Sequence, residues 1–185
     1  MPRHAIHKKT LNQTINDNRL QLEGLAKLAG KPPPVFSDIK TYAQKKIQIS
    51  QLPDWLPLYG DKTFRGDCEL EAYEQKQFVK AVRKIFPVTL GKLITHIKNE
   101  GARSDSQTNH DYSMGLWPGA ADIIIIAKIP FVLELKRRDP TKSSFSQDSI
   151  VYLKTAQDQG AFVCGALGFA GAWDALEVWL GSSKN

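Results

Sequence analysis

The sequence predicts an α/β domain, a mixed β-sheet covered by helices, over the region from Cys68 to the C-terminus. Three stretches carry that prediction. Leu70, Tyr73, Phe78, Ala81, Val82 and Ile85 recur mostly at three- and four-residue steps, the spacing of one helical face. 'ADIIIIAKIPFVLELK' (121–136) contains two β-rich runs around a short break. 'AFVCGAL' (161–167) is a further apolar run of strand length. Helix and strand signals that follow one another along a chain are satisfied by a sheet with helices layered on it.

Taken in order, the first helix is expected to stop at Pro87, because proline cannot continue the hydrogen-bond ladder. 'KLITHI' (92–97) reads as a short strand, and the polar stretch Asn99 to Met114 as a mobile loop. The two runs at 121–136 read as a hairpin turning near Lys128 to Pro130. Ser146 to Gln159 reads as a helix stopped by Gly160, and Gly171 to Leu180 as a closing helix. Residues 1–66 differ in character. They are polar and basic, and 'KPPPVF' and 'LPDWLPLYG' interrupt any long element. They read as a basic N-terminal extension with helix candidates near 20–28 and 38–49, leaving 67–185 as the main domain.

Composition narrows the function classes. The 185 residues suffice for one ordinary core, and the 42% apolar and 24% charged content is that of a soluble globular chain. No apolar run approaches the roughly 20 residues of a membrane-spanning helix. The N-terminus carries Arg3, His4, His7, Lys8 and Lys9 in place of a signal-peptide core, so the expected location is cytoplasmic. Cys68 and Cys164 are far apart without a CxxC spacing, which argues against a zinc site or a disulfide framework. The net charge of +6 fits a polyanionic partner.

The hairpin carries the chemistry. A turn near Lys128 to Pro130 places Asp122 across from the segment holding Glu134 and Lys136. Residues two apart on a strand project from one face, so the pairing gathers two carboxylates and an ammonium. Such carboxylates hold a hard divalent cation such as Mg²⁺, which accepts charge from a phosphate oxygen. A neighbouring lysine orients water and stabilises developing negative charge. The competing interpretation is a surface ion pair between Glu134 and Lys136; the apolar hairpin and the preceding 'PGAAD' weigh against it.

'PGAAD', a short hairpin and 'VLELK' resemble the PD-(D/E)xK nuclease signature, and more narrowly the VRR-NUC family of virus-type replication and repair nucleases. The matched residues run in order: Glu71, Gln75, Phe78, Val79, Phe86 and Pro87, then His96, Asn99, Gly101 and Arg103. Met114, Gly115, Pro118, Gly119 and Asp122 follow, then Glu134 and Lys136, then Ser146 and Gln147, and finally Gly160 with 'AFVCGAL'. They span roughly the last two thirds of the chain. Ala121 stands where the family usually has proline, and Ser146 and Gln147 lack the family's spacer.

The resemblance implies a restriction-endonuclease-like core and hydrolysis of DNA phosphodiesters with Mg²⁺ or Mn²⁺. It implies metal ligation by Asp122, Glu134, the main-chain carbonyl of Leu135, and Glu71, with Lys136 acting on water and Gln147 near the metal. Glu74 lies nearer the centre of the helix's apolar face than Glu71, so spacing leaves both open as the third acid. His96, Arg103, Arg137, Arg138 and Lys142 are candidate DNA contacts. Relatives of this stand-alone size imply cutting of branched DNA such as Holliday junctions, hence a homodimer. The alternatives are a flap, nick or linear-end nuclease, or a non-catalytic DNA-binding protein of the same fold.

Overall fold

A buried strand, a crossover through one helix and a second parallel strand organise this chain, and the remaining elements attach to them. A computed structural model of the protein describes residues 46–97, 110–117 and 119–182. The helix candidate at 20–28, most of the one at 38–49, and the greater part of the 99–114 loop lie outside the described residues. In chain order the strands are β1 (Lys46–Gln48), β2 (Leu58–Tyr59), β3 (Ile94–His96), β4 (Ile123–Ile125), β5 (Phe131–Lys136), β6 (Ser144–Ser146) and β7 (Phe162–Leu167). The helices are α1 (Glu71–Ile85), α2 (Leu90–Leu93), α3 (Gln147–Asp158) and α4 (Gly168–Ser182).

The main sheet has the order β2-β7-β5-β4-β3. β5 and β7 are parallel and joined through α3, β2 is parallel to β7, and β4 and β3 are antiparallel additions. β1 and β6 form a separate antiparallel pair. A parallel pair needs a long crossover, here supplied by β6 and α3, which cover one face of the sheet. All six residues of β5 are buried, as expected of a central strand covered on both sides.

Alternation along β5 divides the interior. Phe131, Leu133 and Leu135 join Phe78 and Val82 of α1 and Ala172, Leu176 and Trp179 of α4 in one core. Val132 faces the other way, into a second core with Leu56, Phe145, Ile150, Leu153 and Val163. Glu134 and Lys136 share the parity of Val132, so they extend the second face where apolar cover runs out.

Two features differ from the sequence expectation. Residues 46–59 fall within the expected extension, yet they supply β1 and β2 to the folded unit. Strands of two or three residues beside Pro53 and Pro57 carry too little periodicity to be recognised. 'KLITHI' divides into the end of α2 and the strand β3, and residues 110–113 of the polar stretch are helical.

The loop before β4 depends on one glycine. Gly119 has φ +75°, and a Cβ there would lie 2.4 Å from the Asp148 carbonyl carbon and 2.5 Å from the Ser149 nitrogen. The loop therefore rests directly on the first turn of α3. Gly119→Ala is expected to cost about 2 kcal/mol, from left-handed backbone strain and overpacking together. Urea unfolding of the variant measures this, and an unchanged midpoint would show that the loop does not need its close seat.

Candidate active site

The β4–β5 register pairs Ile123 with Leu133, so the next step along both strands sets Asp122 opposite Glu134. The pairing is reinforced by a side chain: the Leu135 N–H donates to Asp122 Oδ2 at 2.8 Å. Strand geometry directs a residue's N–H and C=O to the same edge, so the Leu135 carbonyl shares the side of β5 that Asp122 occupies. Lys136 Nζ lies 2.8 Å from Glu134 Oε1 and 3.7 Å from Glu71 Oε1 at the start of α1. Beneath the ammonium lies the ring of Phe145, 5.3 Å from Nζ to its centroid. Gly165, paired with Glu134 across to β7, makes room for that ring; a Cβ would be 2.8 Å from it.

Asp122, Glu134 and Lys136 are 6%, 5% and 8% exposed, which excludes an ordinary solvated surface pair. Burial first, and then the Glu134 carboxylate, raise the Asp122 pKa well above its ordinary 3.8; Lys136 and the Leu135 N–H oppose this without cancelling it. Burial by itself would lower the Lys136 pKa. Glu134, Asp122 and Glu71 together outweigh it and hold the ammonium charged beyond its ordinary 10.5. Without a bound cation Lys136 is therefore a charged hydrogen-bond donor at neutral pH, suited to orienting water or an anionic oxygen.

Among the described residues no three His, Cys, Asp or Glu side chains gather closely enough to cage a metal unaided. Glu134 Oε2, however, is buried without a hydrogen-bond partner. Asp122, Glu134 and Glu71 set three carboxyl groups against the single Lys136 ammonium. Two carboxylates and the Leu135 carbonyl are hard oxygen donors of the kind Mg²⁺ or Mn²⁺ prefers, with water completing the shell. Those residues fit such a cation.

Other expected site residues fall into different places. Glu74 accepts from the Phe169 N–H at 2.9 Å, at the start of α4, where the exposed amides and the helix dipole favour an anion. Of the two acids on α1, Glu71 is the one beside Lys136. His96 Nδ1 lies 2.6 Å from Gln75 Nε2 and 2.9 Å from the Asp122 carbonyl oxygen. One ring nitrogen satisfies only one of these at a time: protonated it donates to the carbonyl, unprotonated it accepts from the amide. In the donating form the ring braces the strand end bearing Asp122. Gln147 is the first residue of α3, half-buried behind the Ser146 cap, whose hydroxyl accepts from the Ser149 N–H.

Three expected DNA contacts are engaged with the chain itself. Arg137 Nη2 donates to the Cys68 carbonyl at 3.3 Å, and the Arg138 guanidinium lies 4.0 Å from the Phe64 ring centroid. Lys142 Nζ donates to the Gly66 carbonyl at 2.8 Å. With Asp139, whose carboxylate accepts from the Thr141 hydroxyl and the Gly66 N–H and is held at a pKa of about 2, they fasten residues 64–68 beside the end of β5. Arg103 lies outside the described residues. Gln75 was matched to the motif without a site role, and Phe145 and Gly165 were not singled out from the sequence, because an isolated Phe or Gly carries no spacing signal.

A central mixed sheet with helices on both faces, and an acidic hairpin end beside a first-helix acid, is a restriction-endonuclease-like α/β fold. Among solved structures the chain is similar to one described as a VRR_NUC domain protein, with a TM-score of 0.51 and 16% sequence identity. The match covers 64% of this chain and 92% of that one, and at this identity it establishes likeness of fold. No family model and no curated protein matches the chain.

Proposed function

We propose that the protein is a divalent-metal-dependent deoxyribonuclease centred on Asp122, Glu134 and Lys136. The observation that carries this reading is the buried convergence of two carboxylates and one ammonium at the hairpin end, with Glu134 Oε2 lacking a partner. Asp122, Glu134 and the Leu135 carbonyl would hold Mg²⁺ or Mn²⁺, with Glu71 completing the acidic surround. Such a cation supplies Lewis acidity toward a phosphodiester. Lys136 contributes a fixed positive charge beside the reacting phosphate, where negative charge builds up as a nucleophile attacks. The buried β5 backbone carries Glu134 and Lys136 on a rigid element. The described residues contain no helix long and apolar enough to cross a membrane.

The finer reading is structure-selective cutting of branched DNA by a homodimer, which rests on the motif resemblance, with a fold like that of a VRR_NUC domain protein consistent with it. It is tested on labelled plain duplex, nicked, flapped and four-way DNA with Mg²⁺ or Mn²⁺, with Glu134→Gln as the control. Symmetrical paired cuts in the four-way substrate are expected. Cutting confined to flaps, nicks or ends would replace the branched substrate, and metal-independent binding without any cutting would refute the nuclease.

Metal should also act on stability, and the sign follows from Asp122. Its folded pKa is raised, so as pH climbs above 3.8 the unfolded chain releases this proton while the folded chain retains it. The group's contribution therefore falls with rising pH until the raised value is passed. A divalent ion binds the charged form and removes that penalty. The increase in melting temperature given by Mg²⁺ or Mn²⁺ is expected to grow with pH across this interval. Thermal melts with and without metal over a pH series check this; a pH-independent increase would place the ion elsewhere.

A further inference from the structure

We infer that the exposed face of α1, together with the edge strand β3, is a docking track for the backbone of the DNA strand entering the candidate active site. The inference rests on the nuclease reading for the identity of the polymer. A groove between α1 and β3 is lined by Gln75, Lys76, Val79, Lys80, Arg83 and His96. Lys76, Lys80 and Arg83 are exposed and recur at steps of four and three, so they form one row along the helix. None of the three makes an ion pair or hydrogen bond with a described residue, whereas Arg137 and Lys142 are bound to the chain itself.

Charge is distributed unequally along α1. Its two acids, Glu71 and Glu74, lie in the first turn, while Lys76, Lys80, Arg83 and Lys84 follow with no acid among them. An isolated solvated helix is commonly laced with both signs; a row of one sign over an open groove attracts a polyanion. The groove also has a defined end. Gln75 and His96 line it, and the His96 ring touches the Asp122 carbonyl, so the track leads to the acidic hairpin. From Lys76 to Arg83 is roughly 10 Å at 1.5 Å per residue. A duplex strand advances about 3.4 Å along its axis per phosphate, so the row spans about three phosphate-to-phosphate steps. Val79 and Ile94 give the groove an apolar floor against which sugar faces can rest.

The test is binding of a fluorescent DNA duplex by the full chain in EDTA, where no cutting occurs, over a series of salt concentrations. Replacing Lys76, Lys80 and Arg83 together by Gln is expected to make the plot of log affinity against log salt shallower by about 2–3 and to weaken low-salt binding about tenfold or more. The charge-keeping triple variant Lys76→Arg, Lys80→Arg, Arg83→Lys should retain the wild-type slope. Lys128→Gln, in the hairpin turn, should leave it nearly unchanged. A neutral triple variant with the wild-type slope and an unaltered circular-dichroism melt would overturn the track, as would a wild-type chain that does not bind duplex. Because binding is read without chemistry, loss of slope in a protein that never cuts would refute the nuclease and support the track. Cutting with an unaltered slope would do the reverse.

Discussion

Glu134→Gln is expected to reduce single-turnover DNA cleavage by about 10²–10³-fold or more at saturating Mg²⁺, with duplex affinity in EDTA little changed. The amide keeps the volume of a side chain that is 5% exposed, so the second core need not repack. It removes the charge for which Oε2 is placed and the partner that lies 2.8 Å from Lys136. Lys136 retains Glu71 at 3.7 Å and the field of Asp122, so the ammonium is not left without compensation. Truncation to Ala would be a poorer test, since it opens a cavity and breaks a buried pair, which by itself costs about 3–5 kcal/mol. Glu134→Gln cleaving at the wild-type rate would remove this carboxylate from the mechanism.

Asp122→Asn should move activity and stability in opposite directions. Cleavage is expected to fall by a similar factor, about 10²–10³-fold, because one of two hard anionic donors disappears. The metal-free protein, in contrast, is expected to gain of order 1 kcal/mol near neutral pH, or roughly 2–4 °C in melting temperature for a chain of this size. The cause is the same burial and Glu134 repulsion that raise the Asp122 pKa. An amide relieves both, and its carbonyl still accepts the Leu135 N–H. The stabilisation conferred by Mg²⁺ or Mn²⁺ should be lost in the same variant. A metal-free protein destabilised by the substitution would mean that the carboxylate is adequately paired by Lys136 without a cation.

The hairpin could be read from the sequence because two signals agree there. Four consecutive isoleucines mark a buried strand, and the turn before Phe131 fixes a register in which Asp122 meets Glu134. The first helix was equally readable: its apolar steps run from Leu70 to Ile85 with Pro87 as the stop, against an observed Glu71–Ile85. Spacing left Glu71 and Glu74 both open as the third acid. Separating them needs α4, which lies almost a hundred residues further along the chain and draws Glu74 to the Phe169 N–H. The internal partners of the basic residues after β5 were hidden for a similar reason. Arg137, Arg138 and Lys142 look like a cationic rim in one dimension, but their partners, Cys68, Phe64 and Gly66, lie in a segment of no regular pattern. β1, β2 and β6 are too short for a periodic signal and exist because neighbouring strands offer them partners.

The bond from Phe169 to Glu74 does more than cap a helix, since it ties the axial position of α1 to the C-terminal part of the chain. Glu71 stands one turn earlier on the same rod, so any creep of α1 along its axis would carry that acid away from Lys136 while breaking the tether. The acidic centre therefore takes its ruler from a segment that contributes nothing to it chemically. Trimming or loosening the last helix should blur the geometry at the far end of the first, a form of remote damage that inspection of the hairpin alone would miss.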